Sequence, residues 1–324
     1  PHFYPKTHFL HRGDPARKSG VATQGFLQVL NTAPTGEKHW QQDPPDGWRT
    51  SYRRRAMAGW ITDTQHGAGH LLARVIVNRL WQHHIGRGIV ATPNDFGMQG
   101  ERPTHPELLD YLARRLIRNG WRLKPIHKLI MTSAVYRQTT DRDPAREKID
   151  PDNRWFWRRP MRRLEAEVIR DAMLSISGQL DRTFFGPGTL NDSHRRRSIY
   201  FFIKRSKLVP SLMLFDAPEP LTSLGRRQST TVAPQALMFI NNDNVRQYAR
   251  GLADRLKPHL ARSPRQAVEA GYRIAVGRRP DPEELKASLD FLKTQSKAYG
   301  NNRDRALVDL AQVMMALNDF IYVD

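Results

Sequence analysis

The sequence predicts a mainly α protein: a multi-helix globular architecture with a small β element and a loop-rich N-terminal segment. Three observations carry that expectation. Beyond residue 53, apolar side chains recur at three- and four-residue spacing in one segment after another, the period of a helix with one buried stripe. Ser, Asp, Pro and Gly punctuate those segments where helices start and stop. Only one run, Arg197 to Lys204, concentrates β-branched and aromatic residues in the manner of a strand. With 324 residues, 39% of them hydrophobic, the chain is long enough for about two domains with buried cores.

Residues 1–50 hold Pro5, Pro15, Pro34, Pro44 and Pro45 among Gly13, Gly20, Gly25, Gly36 and Gly47. That density favours a loop-rich segment packing on the rest. Within it, Gly25 to Leu30 reads as a short strand or as an anchor that packs on a later domain, and Arg12-Gly13-Asp14 as a tight turn capped by Asp14. Residues 51–140 read as a helical subdomain. Leu71, Leu72, Val75, Ile76 and Leu80 give one helix, closed by Gly86 and Gly88, and a loop with a short strand at Ile89 to Ala91 follows. Thr104 and Glu107 match a capping box, with Pro106 in the first turn; Leu108, Leu109, Leu112 and Leu116 then face inward as far as Gly120. Ile126, Leu129, Ile130 and Ala134 mark the next helix. Residues 141–160 are charged and Pro-bearing, a linker or long loop. Residues 161–324 read as a second, mainly helical subdomain with a short strand near 198–204. Its helices are marked by Leu164 to Ile176 before Gly178, by Val245 to Leu256, by starts at Ser263-Pro264 and Asp281-Pro282, and by Leu307 to Leu317.

Lys and Arg number 52 against 32 Asp and Glu, a net charge of +20. Such a balance favours polyanionic partners, whether nucleic acid, acidic glycan or anionic lipid; it is equally what an Arg-rich composition gives a protein with no such partner. The absence of cysteine excludes a disulfide frame, a thiol nucleophile, an iron–sulfur or Cys-type zinc site and covalent c-type haem attachment in this chain. No apolar run approaches the roughly 18 residues of a transmembrane helix. The chain opens at Pro1 without a signal-peptide pattern and is read as a piece of something longer.

Ordered blocks along nearly the whole chain carry a family resemblance: His11 to Asp14 with Gly25 to Leu30, Ala73 to Gly97, Pro103 to Asp110, Leu129 to Gln138, Arg162 to Asp181, Arg196 to Arg205, Leu214 to Pro220, Thr230 to Asn242, and the closing Asn318 to Asp324. With them the chain resembles a planctomycete-specific domain of unknown function that sits at the C-terminal end of large secreted proteins. The resemblance implies an extracytoplasmic location and upstream partner domains in the same parent protein, among them a planctomycete-type cytochrome c module. Any haem would lie in that module, so no cofactor is expected in this chain. Gly67 to His70, Phe184-Phe185 and Thr222 to Gly225 depart from the family pattern. The resemblance carries over no catalytic residues.

Reactive side chains concentrate between Arg74 and Asp110. Arg74, Asn78 and Gln82 share one helix face and Arg79 and His83 another, followed by His84, Asp95, His105 and Asp110. If the loop folds back, His83 or His84 meets Asp95 and His105, a set whose chemistry suits zinc or non-haem iron. The spacing matches no recognised ligand motif, so no metal is assigned. The alternative is structural: a histidine pair complementing a helix dipole and a carboxylate used in a cap. Asp95-Phe96-Gly97 lacks the phosphate and catalytic loops of a kinase. Arginine clusters stand at Arg158-Arg159, Arg162-Arg163, Arg195 to Arg197 and Arg226-Arg227, and three of the four neighbour aromatic residues or the expected strand (Trp155, Phe156, Trp157, Tyr200). Planar guanidinium forks grip sulfate, phosphate or carboxylate, and rings stack on sugars or bases. The candidate ligand-binding set is Arg74, Asn78, Arg79, Arg163, Arg196, Arg205, Arg226 and Arg227. Against it stands an ion-pair ladder of Arg163, Glu167, Arg170 and Asp171 along one helix.

Three functions are consistent with these features. The leading one is an accessory or binding module engaging acidic or sulfated polysaccharide or partner domains. The second is an enzyme of unassigned class, a hydrolase or metal-dependent, at His83, His84, Asp95 and His105. The third, nucleic-acid binding through the arginine clusters, lacks any helix-turn-helix, zinc-finger or ribonucleoprotein motif.

Overall fold

Thirteen α-helices and two two-stranded sheets make up the regular structure of residues 6–323, the residues described by the computed structural model. The protein is therefore mainly α with a small β element. The chain divides into two compact units, Pro1–Arg159 and Pro160–Asp324.

In the N-terminal unit, β1 (His8–Leu10) and β2 (Lys18–Val21) form an antiparallel hairpin. Its connection turns through positive φ at Arg12 and Gly13, and the Asp14 carboxylate accepts the Ala16 N–H at 2.9 Å. The Gly25 to Leu30 patch is an anchor: Phe26 stacks on Trp60 of α1 (Arg53–Thr62) at 5.3 Å and meets Trp40 edge-on at 5.5 Å. The central element is α2 (Gly69–Ile85). Its buried stripe of Ala73, Val77, Trp81 and Ile85 faces α3 (Pro106–Arg118) and α4 (Leu123–Met131). Gly86 ends α2 in the left-handed region, φ 99°, where only glycine sits without strain.

Three local expectations for this unit are corrected. Ile89 to Ala91 forms no strand; fully buried Asn78 takes over its pairing, donating to the Val90 carbonyl at 3.0 Å and accepting the Val90 N–H at 2.9 Å. The Thr104–Glu107 capping box does not form. Thr104 pairs instead with Ile89 through its N–H (3.0 Å) and hydroxyl (3.3 Å), which leaves His105 at the cap position. Within residues 141–160, α5 (Pro144–Ile149) forms because the Asp143 carboxylate accepts the N–H groups of Ala145 and Arg146.

In the C-terminal unit, β3 (Arg162–Arg163) pairs antiparallel with β4 (Tyr322–Val323), joining the two ends of the unit. Between them lie α6 (Ala166–Ile176), α7 (Pro210–Leu214), α8 (Ala233–Asn241), α9 (Asp243–Leu260), α10 (Pro264–Ala275), α11 (Pro282–Ala298), α12 (Arg303–Met315) and α13 (Asn318–Ile321). Helices α9 and α12 pack against each other, with α10 on both and α11 on α10 and α12. Val245, Ala249, Leu252, Leu256, Leu307, Leu310 and Met314 fill the space between. The expected starts hold: Ser263 accepts the Gln266 N–H, and Asp281 and Glu284 form a reciprocal capping box.

The strand expected near 198–204 is replaced by a 3-10 turn, Ser198–Tyr200, flanked by isolated bridges of Thr189 with Phe201 and Lys204 with Lys207. Side chains bind the backbone at the start of this run and just before it. Asp171 accepts the Ser198 N–H at 2.8 Å, and the Arg170 guanidinium takes the carbonyls of His194 and Arg196.

Candidate functional site

The His/Asp set of the α2–α3 region is distributed over separate contacts. His83 is exposed near the end of α2. His84 Nε2 lies 2.8 Å from His127 Nδ1 of α4, with Tyr136 edge-on at 5.7 Å and the Arg159 guanidinium 4.3 Å from the centre of the Tyr136 ring. Asp95 accepts the Gly97 N–H at 2.8 Å in its own turn. His105 stacks on Phe156 at 5.4 Å, its Nδ1 2.9 Å from the Thr104 hydroxyl. Arg74 donates to the Asp110 carboxylate at 2.7 Å, and that hydrogen bond holds the Asp110 carboxyl below its ordinary pKa. Arg79 donates to Asn94 at 2.7 Å. Among the described residues, no group of three or more His, Asp or Glu is placed to hold a metal ion.

Four arginines of the C-terminal unit, Arg163, Arg170, Arg196 and Arg227, are held in internal contacts. Buried Arg163 donates to the Asp216 carboxylate at 2.6 Å and to the Phe215 carbonyl at 3.2 Å. Burial pushes the Asp216 pKa up, but the Thr230 N–H and hydroxyl, with the Arg163 charge, hold it below the ordinary carboxylate value. Arg227 grips Glu167 with two bonds, 2.6 and 3.0 Å, and reaches Glu165 at 3.3 Å. Arg196 lies over the Tyr200 ring and donates to the carbonyls of Thr183, Phe185 and Pro187. Arg170, almost fully buried, donates to the carbonyls of Asp192, His194 and Arg196 and to the Ser198 hydroxyl. Thus Arg163, Glu167, Arg170 and Asp171 do not form a ladder along one helix; each ties down a segment distant in sequence. Arg205 and Arg226 are exposed.

The α3–α4 hairpin, which the sequence motifs did not single out, carries a run of solvent-exposed cations. Residues 111–140 contain seven Lys and Arg and no Asp or Glu. All seven are exposed: Arg114, Arg115 and Arg118 on α3, Arg122 in the connection, Lys124 and Lys128 on α4, and Arg137 beyond it. On α3 the spacing of Tyr111, Arg114, Arg115 and Arg118 makes one outward stripe, because Leu109, Leu112, Ala113 and Leu116 fill the opposite face. On α4, Ile126 and Ile130 are buried and Lys124 and Lys128 stand outside. Asp110, the acid nearest Arg114, is already hydrogen-bonded to Arg74. Glu107 lies one turn beyond Tyr111 at the N-terminal end of α3. Tyr111 places a half-exposed ring within the stripe.

Helical scaffolding, arginines tied into internal contacts and an acid-free cationic hairpin define a basic, mainly helical protein. The chain belongs to the PSD1 family, described as "Protein of unknown function (DUF1553)", whose profile matches residues 53–292. No curated protein and no solved structure matches it.

Proposed function

We propose that the chain is an accessory binding module that engages acidic or sulfated polysaccharide through the α3–α4 hairpin. The observation that carries this reading is the run of seven exposed cations without an intervening acid, five of them on helices whose other faces are fixed in a core. Guanidinium groups grip sulfate and carboxylate through charge-assisted, often bidentate hydrogen bonds, and the Tyr111 ring offers a stacking surface for a sugar. The family context read from the sequence supports an extracytoplasmic setting beside upstream domains of the same parent protein. Nucleic acid remains the competing polyanion, since lysine and arginine contacts to phosphate supply sequence-independent affinity.

The test is retention on heparin, with dextran sulfate and duplex DNA as competitors, for the natural chain and for the Arg114→Gln/Arg118→Gln/Arg122→Gln/Lys124→Gln variant. Retention should fade with salt, and the variant should bind about tenfold or more weakly, as expected when several charge-assisted contacts are lost. Absence of retention at low ionic strength, or equal retention of the variant, refutes the assignment. Preference for DNA over both sulfated glycans refutes the polysaccharide reading.

A further inference from the structure

The segment 182–207 presents large apolar side chains to solvent from a tightly tied frame. Phe184, Phe185, Ile199, Phe202 and Ile203 are all more than half exposed, Phe185 and Ile203 at 85% and 86%. They belong to one construction. Thr189 pairs with the 200–202 backbone (Thr189 N–H to the Tyr200 carbonyl, 3.0 Å; Phe202 N–H to the Thr189 carbonyl, 2.9 Å). The Tyr200 hydroxyl accepts the Phe185 N–H at 2.8 Å. Arg196 ties the 183–187 turn from one side, and buried Arg170 ties 192–198 from the other. A fold that holds apolar side chains outward in a frame with so many hydrogen bonds marks a contact surface.

The charges around these side chains select the partner. Arg182, Arg195, Lys204, Arg205 and Lys207 are exposed in the same segment. Its only acid, Asp192, accepts from the Ser211 hydroxyl at 2.6 Å and lies 4.0 Å from Arg170. Aromatic and aliphatic side chains flanked by Lys and Arg fit the boundary between lipid headgroups and acyl chains, where the rings enter and the cations meet phosphate. The core of a protein–protein contact is typically poor in lysine, whereas here Lys204 follows Ile203 directly and is bridged to Lys207. The geometry points to a peripheral membrane contact: residues 182–207 dock on an anionic lipid surface, inserting Phe184, Phe185, Phe202 and Ile203. The contact does not depend on the α3–α4 hairpin.

Co-sedimentation of the chain with vesicles tests it, using phosphatidylcholine alone and an equal mixture of phosphatidylcholine and phosphatidylglycerol. The mixture should pellet the protein and phosphatidylcholine alone should do so far less. Phe184→Ser/Phe185→Ser and Lys204→Gln/Arg205→Gln/Lys207→Gln should each weaken the association about tenfold or more, with unchanged circular dichroism and melting. The α3–α4 glutamine variant should still pellet, which separates failure of this proposal from failure of the polysaccharide reading. No association with anionic vesicles overturns the inference, and so does association that ignores the phenylalanine pair or is abolished by the α3–α4 variant. Capture of a purified upstream domain by the phenylalanine pair, without vesicle binding, would likewise replace lipid by protein.

Discussion

Replacing Arg170 by Met tests whether one buried guanidinium holds the irregular part of the C-terminal unit. The methionine conserves much of the side-chain length and removes every donor. It leaves the carbonyls of Asp192, His194 and Arg196 without their Arg170 partner, removes the donor to the Ser198 hydroxyl, which still donates to Asp171, and leaves Asp171 and Asp192 without their nearest buried cation. Hydrogen bonds from a charged donor contribute about 1.5–3 kcal/mol each, but bonds made by one group are not additive. Deleting one side of a buried ionic network costs about 3–5 kcal/mol, and about 4 kcal/mol is the expected loss. With a urea dependence of about 2 kcal/mol per molar, the midpoint should fall by about 2 M. Two probes locate the loss. All seven tryptophans lie between Trp40 and Trp157, so their fluorescence follows the N-terminal unit, whereas far-ultraviolet circular dichroism follows both. The loss should show in the dichroism curve, with fluorescence as the internal reference. Arg170→Lys should recover less than half of it, since an ammonium cannot span the same acceptors. A dichroism midpoint within about 0.3 M of the natural chain refutes the reasoning, because that is the scale of a neutral surface change.

Asn78→Leu should destabilise the N-terminal unit by about 2–5 kcal/mol, measured by tryptophan-monitored urea unfolding, because both Val90 backbone groups lose their buried partner. Asp216 makes a pH prediction. Its pKa is lower in the folded state, so its stabilisation is complete above the unfolded value of about 3.9 and lost as pH falls through the folded value. The melting-temperature gap between the natural chain and Asp216→Asn should therefore be widest near neutrality and close as the pH is taken below about 4; a gap independent of pH would contradict the Arg163–Asp216 assignment.

Helix positions were legible where capping chemistry and apolar spacing agree, as at Asp281-Glu284 and at Gly86. They were misread where a side chain takes a tertiary partner. Thr104 looks like a cap but pairs with Ile89, fifteen residues away. The aromatic run at 199–203 has strand propensity, yet Arg170 and Asp171 occupy neighbouring backbone groups and the only pairing available is the single bridge to Thr189. Propensity reports fit to a pleated surface, and no such surface lies there. The apparent ladder on α6 failed because helical spacing shows which residues share a face and not whether a loop supplies a closer counter-ion. The His84–His127 contact spans 43 positions and leaves no local trace. The α3–α4 face, by contrast, was open to simple counting: a thirty-residue stretch without an acid is visible in the bare sequence, with the Arg114-Arg115 doublet inside it.

Because Arg170 and Arg196 brace the 182–207 segment before any encounter, ordering it would add little entropic loss on association. The shape adjustment must then come from the other side. A fluid boundary can yield around a rigid protrusion with ease, whereas a second folded protein would need a matching recess already in place.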